Sequence, residues 1–275
     1  PVIEAQLFDK YRPATIFLSK STEFFGTPEF EYITEADITL ENDSGKTVNF
    51  APGDSAGLFI ANFQGEPGQQ YKLNVTNEYG TFTASAVMPE ALSIDSLSVI
   101  SLQHEFGMPG EELGVYCHFT NPPGQRDYVQ FRFYKNYEPM PEIYLMDDFY
   151  TDGLRFDFFF YSNFVEPLDT VIVEMLSMDA DVYDYLYTLS EVAGGSGTGT
   201  ATPYNPNTNF SGDALGYFGA FGTDMAMIIA EEGAVKVPNK NTSVFRQAAE
   251  RISKIKTSST RNPNPLPNEN PEEYE

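Results

Sequence analysis

The sequence is poor in several things that chemistry commonly needs. One cysteine, Cys117, excludes an internal disulfide and any zinc site built on several thiolates. Two histidines, His104 and His118, leave little material for a histidine-based metal centre or an acid–base dyad. Tryptophan is absent, which removes the strongest ring for stacking on a sugar. Positive charge is scarce, with 16 Lys and Arg against 40 Asp and Glu, a net charge of −24. A body of that sign has no general surface with which to release counterions from a phosphate backbone, so nucleic acid and bare anionic membrane are excluded as partners. No run of 18 apolar residues occurs, and Pro1-Val-Ile-Glu lacks a charged-then-apolar leader, so no spanning helix and no targeting segment is expected within the chain.

What is present is core-forming. Apolar residues make up 41% of the 275, with 23 Phe and 17 Tyr, enough for two domains of ordinary size. Charge is segregated as well as unbalanced. Residues 1–235 hold nine cations and 35 carboxylates, a balance of −26, whereas residues 236–261 hold seven cations and Glu250 alone. The last 14 residues add Glu269, Glu272, Glu273 and Glu275 in a Pro/Asn-rich end. An acidic body with a basic arm is the pattern of an interaction tail.

The first ninety residues alternate with a period of two between turn residues. Ala36-Asp-Ile-Thr-Leu-Glu41, the turn Asn42-Asp-Ser-Gly45 and Lys46-Thr-Val-Asn-Phe50 predict a hairpin. Gly57–Phe63, Tyr71–Thr76 and Thr81–Val87 continue the rhythm, and about seven such strands imply an immunoglobulin-like sandwich over residues 1–90. Pro89-Glu-Ala interrupts it. A second β-rich, sandwich-like domain is predicted over residues 91–235, with strands at Ser93–Ile100, Val115–Phe119, Tyr128–Tyr134, Leu154–Phe160 and Thr170–Leu176. Ala214–Phe221 and Met225–Ala230 read as two closing strands. One helix is inserted near 179–192, where Val182, Tyr185 or Leu186, and Leu189 recur at helical spacing behind Ser177 and Asp179 as caps. Residues 236–275 form a helical tail, with a basic helix at Ser243–Lys256 that puts Phe245, Ala248 or Ala249, Ile252 and Ile255 on one face. The fold class is therefore all-β.

Catalytic patterns are wanting: neither a nucleotide loop, HExxH nor GxSxG occurs. Cys117 and His118 are adjacent, but neighbours on a strand face opposite sides, so a buried thiol beside an outward or satisfied histidine is expected rather than a nucleophile pair. Asp147, Asp148 and Asp152 in one loop and Asp179, Asp181 and Asp184 at the helix start read as loop solvation and helix capping, with calcium or paired-acid glycosidase chemistry as the weaker readings. No cofactor is expected, and the chain reads as no enzyme. For the basic helix, Phe245, Arg246, Arg251, Ile252, Lys254 and Ile255 are candidates for docking on the acidic body or on a partner. Tyr137, Tyr144, Tyr150 and Tyr204 are candidates for stacking on a sugar.

The stretch Asn205-Pro-Asn-Thr-Asn-Phe-Ser-Gly-Asp-Ala-Leu-Gly-Tyr-Phe-Gly-Ala-Phe221, preceded by Ser177-Met-Asp-Ala-Asp-Val-Tyr-Asp-Tyr-Leu-Tyr-Thr-Leu189, resembles the C-terminal signature of the Bacteroidota lipoprotein family labelled domain of unknown function 4249. Ala14–Ser21, Gly65–Val75, Ile94–Leu97 and Asn121-Pro-Pro-Gly124 follow in the family's order, so the resemblance covers about residues 1–230. It implies a surface lipoprotein of the outer membrane, held by a lipid anchor upstream of Pro1. It also implies an accessory role beside a β-barrel protein, either a TonB-dependent-receptor-like importer or the machinery that assembles barrels, with other surface lipoproteins as further partners. A glycan-, peptide- or host-surface-binding (adhesin-like) module is the alternative. Ser55, Ser96 and Thr170 each sit in an Asp-(Ser/Thr)-apolar triplet that resembles periplasmic O-glycosylation acceptors of that phylum. The family brings no catalytic residues with it.

Overall fold

A computed structural model describes residues 1–21, 31–193, 205–238 and 246–252, with the side chains of 192 and 193 left aside. The first half comprises β1 (Val2–Phe8), β2 (Ala14–Ser19), β3 (Asp37–Asn42), β4 (Thr47–Asn49), β5 (Ala51–Pro52), β6 (Leu58–Ala61), β7 (Gln70–Asn77) and β8 (Gly80–Val87). The second comprises β9 (Ile94–Ser101), α1 (Leu102–Phe106), β10 (Leu113–Thr120), β11 (Tyr128–Lys135), β12 (Glu138–Pro139), β13 (Tyr144–Asp147), β14 (Arg155–Phe159), β15 (Thr170–Met178), α2 (Ala180–Ala193), β16 (Leu215–Ile229) and β17 (Val235–Lys236). A third helix, α3, spans 246–252. Among the described residues no helix is long and apolar enough to cross a membrane.

The all-β expectation holds: an N-terminal immunoglobulin-like sandwich is followed by a second sandwich carrying an inserted helix. Alternation is the cause. In β3, Ile38 and Leu40 point inward and Asp37 and Glu41 outward; β7 does the same with Tyr71, Leu73 and Val75. These side chains meet Ile3, Ala5 and Leu7 of β1, Ile16 and Leu18 of β2 and Phe59 of β6 in one core. The second core sets Leu97, Val99, Val115, Cys117 and Phe119 against Phe131, Phe133, Val171, Val173 and Met175. Each fully buried large side chain stabilises by about 1.5–3 kcal/mol, so either layer alone would expose too much to stand.

The predicted hairpin over Ala36–Phe50 forms, with Thr39 opposite Asn49 and Leu40 opposite Val48. The helix expected near 179–192 is α2, and Asp179 caps it by accepting from Val182 N–H at 3.1 Å. The same carboxylate accepts from Val87 N–H at 3.2 Å, tying the helix to the last strand of the N-terminal sandwich.

Ala214–Phe221 and Met225–Ala230 are not two strands. They are parts of β16, one 15-residue strand. Residues 215–221 run parallel to β1, and residues 222–229 run antiparallel to β15. The Gly222-Thr-Asp224 stretch stays extended because Asp9 accepts from both Thr223 N–H (3.0 Å) and Thr223 Oγ1 (2.6 Å), while Asp9 N–H donates to Phe221 carbonyl. The division at 90/91 therefore falls where the chain passes from one sandwich to the next, but residues 215–221 belong with residues 1–90. β16 completes both.

The connecting segment is pinned onto this strand. A Cβ on Gly222 would lie 2.6 Å from Pro89 carbonyl oxygen and 2.8 Å from Ala91 N, so only glycine lets the linker cross here. Leu92 N–H donates to Ser177 Oγ at 3.0 Å, and Ile94 N–H to the buried Asp224 carboxylate at 2.8 Å. Nearby, Glu174 of β15 is fully buried between Arg12, from the β1–β2 connection, and Arg132 of β11; Tyr134 Oη also donates to it at 3.1 Å. Arg12 lies over the Phe8 ring at 4.0 Å. The two sandwiches thus share a strand, a pinned linker and a buried ion cluster.

The expected basic helix is present over its described part, and it docks on its own body. Ala248, Ala249 and Ile252 are buried against Tyr134, Ile172 and Met225, and Arg251 stacks over Tyr137 at 4.9 Å. Ile252 is thereby withdrawn as a partner contact, because the apolar face it helps form is already covered. Arg246 and Arg251 remain exposed; Phe245, Lys254 and Ile255 lie outside the described residues.

Candidate functional site

Two surfaces of the C-terminal sandwich bring chemistry-bearing side chains together. The first is a run of aromatic rings built from three elements. The β10–β11 connection and the β13–β14 connection are tied to each other: buried Asn121 donates to Thr151 Oγ1 at 2.8 Å, and Gly124 N–H donates to Asp152 at 2.8 Å. That junction holds Phe149 and Tyr150 outward, 59% and 85% exposed, with ring centroids 4.6 Å apart. Arg126 lies over Phe149 at 4.9 Å and over Tyr128 at 5.8 Å while its guanidinium pairs with Asp147 at 2.9 Å. Tyr128 then meets Tyr183 of α2 at 4.9 Å, and Tyr183 lies parallel to Tyr187, one helical turn on, at 6.0 Å. The run Tyr150, Phe149, Arg126, Tyr128, Tyr183, Tyr187 is continuous, with exposed rings at both ends and half-buried rings at Tyr128 and Tyr183 between them.

Its electrostatics are acidic. Tyr183 has its phenol pKa raised, first by burial and then by the charges of Asp147 and Asp184. Beneath the tip, Asp148 and Asp127 are buried, and Asp127 is raised by burial and by the neighbouring Asp148 charge. The aspartate loop is thus partly core rather than wholly solvated. Asp179 is likewise raised by burial in spite of its two backbone donors. Among the described residues, no group of three or more His, Cys, Asp or Glu is placed to hold a metal ion.

The second surface is the outer face of β9, β10 and β14. Cys117 points into the core and His118 outward, as adjacency on a strand requires. Ser98 Oγ and His118 Nε2 are 2.7 Å apart, and His118 Nδ1 and Asp157 are 2.6 Å apart. The Asp157 pKa is lowered, mainly by the hydrogen bond from His118. A Ser–His–carboxylate chain of this order is the arrangement of nucleophilic triads. Acyl transfer also needs donors aimed at the oxyanion. Ser98 sits in mid-strand, opposite Tyr116 of β10 on one side and Val235 of β17 on the other. The three groups come from β9, β10 and β14, so they form a clasp across three neighbouring strands. His104 makes a separate surface contact with Glu232 at 2.5 Å.

Other sequence candidates are scattered. Tyr144 is buried, donating to Asn163 at 2.8 Å, and Tyr137 lies under Arg251, which leaves Tyr150 as the freely presented ring among those described; Tyr204 lies outside the described residues. Ser96 is half-buried on the face of the clasp, Ser55 lies half-buried in the β5–β6 turn, and Thr170 opens β15 with its N–H donated to Asn136. At the far end of the N-terminal sandwich an open groove of about 540 Å³ is lined by Glu35, Asp37 and Glu78 with Thr34 and Thr76. Phe149, Arg126, Tyr128, Tyr183 and Tyr187 carry one local signal in the sequence, the 183/187 spacing, which places two rings on one helix face.

Among solved structures, a two-domain fibronectin type-III segment of chicken tenascin aligns at 14% identity over 64% of this chain and 88% of that chain, with a TM-score of 0.22. The FN1–FN3 domains of chicken CNTN1 align at 12% identity over 64% of this chain and 59% of that chain, with a TM-score of 0.24. No curated protein matches the sequence. A family model does match, over residues 2–226, most of both sandwiches and the strand that joins them, and the chain belongs to that family, described as domain of unknown function DUF4249.

Proposed function

We propose that this protein is a non-enzymatic interaction subunit: a lipid-anchored surface lipoprotein of the outer membrane that serves as an accessory to a β-barrel complex. The observation that carries the reading is the pre-set aromatic run from Tyr150 to Tyr187. Tyr, Phe and Arg are the residues that concentrate binding energy at protein interfaces, and here they are held by tied loops and a capped helix rather than by mobile chain. The shared strand and the buried ion cluster make the two sandwiches a stiff mount for that surface. The Ser98–His118–Asp157 clasp, which links three neighbouring strands, is read here in a structural role.

Pull-down of the tagged native protein in mild detergent tests this. Recovery of a stoichiometric membrane-protein partner is expected, with recovery reduced at least tenfold by Phe149→Ala/Tyr150→Ala. A lone monomer under those conditions would overturn the reading.

A further inference from the structure

The aromatic run has a feature that a neutral interface does not need. At its inner half, one guanidinium is already bound there: Arg126 lies against two ring faces and is held by the Asp147 carboxylate. At its outer half the same ingredients recur, with no cation over the rings among the described residues. Tyr183 and Tyr187 lie parallel, Asp184 is close enough to raise the Tyr183 phenol, and Asp181 and Glu191 stand on the same helix. Between Arg155 and Lys236 the sequence contains neither Lys nor Arg, so α2 carries no basic residue of its own, even in the last turn where a cation would suit the helix dipole. Ring faces flanked by carboxylates attract a cation through the quadrupole and the charge together. The acidic body, −26 over residues 1–235, steers a positive partner toward it and repels an anionic one.

We propose that the α2 end of this run, Tyr183, Tyr187 and Asp184 with Asp147 behind, receives a Lys- or Arg-bearing segment of a protein partner. The inference rests on the interaction-subunit reading and names the chemistry of its contact. The segment seats a cation against Tyr187 as Arg126 sits against Tyr128, and its neighbours along the run extend toward Tyr150.

The test is fluorescence anisotropy of a labelled hexa-arginine peptide with the full chain at about 100 mM salt, near one Debye length of 10 Å. Tyr150→Ala/Tyr187→Ala removes two exposed rings and no charge. Two exposed cation–π contacts correspond to a weakening of about five- to thirty-fold. Asp184→Asn is expected to weaken binding about threefold and to flatten the salt dependence. Glu35→Gln/Glu78→Gln, in the distant groove, should leave the affinity within twofold. Affinity unchanged in the double tyrosine variant, or lowered more by the groove variant, would mean diffuse attraction to an acidic body and overturns the proposal. So would a tenfold gain in Lys254→Glu/Lys256→Glu/Arg261→Glu, which would identify the chain's own tail as the occupant. If the pull-down partner is lost in the double variant while hexa-arginine binds as before, the cationic contact is wrong and the subunit reading stands.

Discussion

Glu174 offers the sharpest test of how the two sandwiches are joined. Its carboxylate is fully buried and faces two guanidiniums, Arg12 from the N-terminal sandwich and Arg132 beside it, with Tyr134 donating from the same strand as Arg132. Burial, with the like charge of Arg132 added to it, pulls the Arg12 pKa down to about 10, so at neutral pH the guanidinium remains charged and depends on its partner. Removing one member of a buried pair costs about 3–5 kcal/mol, because the other charge stays behind without compensation. Glu174→Ala strands two cations and one hydroxyl, which places it at the upper end, about 4–5 kcal/mol. For a chain of this size each kcal/mol lowers Tm by about 2–4 °C, so a drop of roughly 8–20 °C follows. Urea titration followed by tyrosine fluorescence and far-ultraviolet circular dichroism measures it, helped by the absence of tryptophan. The two probes should coincide in the wild type, since a shared strand couples the sandwiches. Replacing all three charges together, Arg12→Met/Glu174→Leu/Arg132→Met, should recover stability to within about 1 kcal/mol of wild type. A loss under 1 kcal/mol for Glu174→Ala, or two separate wild-type transitions, would refute the reasoning.

Four further outcomes follow from the same geometry. Asp127→Asn should stabilise at pH 7 and do nothing at pH 3: the raised Asp127 pKa means that the folded state loses stability as pH rises from the ordinary carboxylate value through the folded one, a loss that an amide does not suffer. Asp157 behaves in the opposite sense. Its lowered pKa gives stability that is present above the ordinary value near 4 and lost as pH falls through the folded one, so Asp157→Asn should flatten the acid limb of a Tm-versus-pH curve. A fluorophosphonate should leave Ser98 unlabelled by intact mass, and labelling abolished by His118→Gln would show that the clasp is a working nucleophile after all. Gly222→Ala should cost about 2 kcal/mol or more in urea melts, because the added methyl meets the backbone of Pro89 and Ala91 rather than a side chain that can swing away.

The legible part of the fold was what local pattern encodes. Alternation in Ala36–Phe50 and Tyr71–Thr76 places their strands within a residue or two, and the spacing of Val182, Leu186 and Leu189 behind Asp179 places α2. β16 reads as two strands because Gly222-Thr-Asp224 has turn composition; what keeps it extended is Asp9, which lies in a distant stretch of sequence. The spacing of Ala248, Ala249 and Ile252 marks an apolar helix face, but the patch that receives it comes from Tyr134, Ile172 and Met225 on three strands. The aromatic run fails the same way. Its rings lie at 128, 149–150, 183 and 187, and only the last two share an element, so no window of the sequence contains the surface.

β16 also dictates an order of events. Val2 finds its ladder partner at Leu215, and Thr170 finds its own at Ile229, so the N-terminal sandwich waits on a strand more than about two hundred residues downstream. As the chain emerges from a ribosome, residues 1–90 can form hairpins but leave one sheet edge of β1 open. The edge closes only when the second sandwich has nearly all arrived. Until then β1 offers an unpaired strand edge to any neighbouring chain, and the arrival of residues 215–229 lets both sandwiches close together.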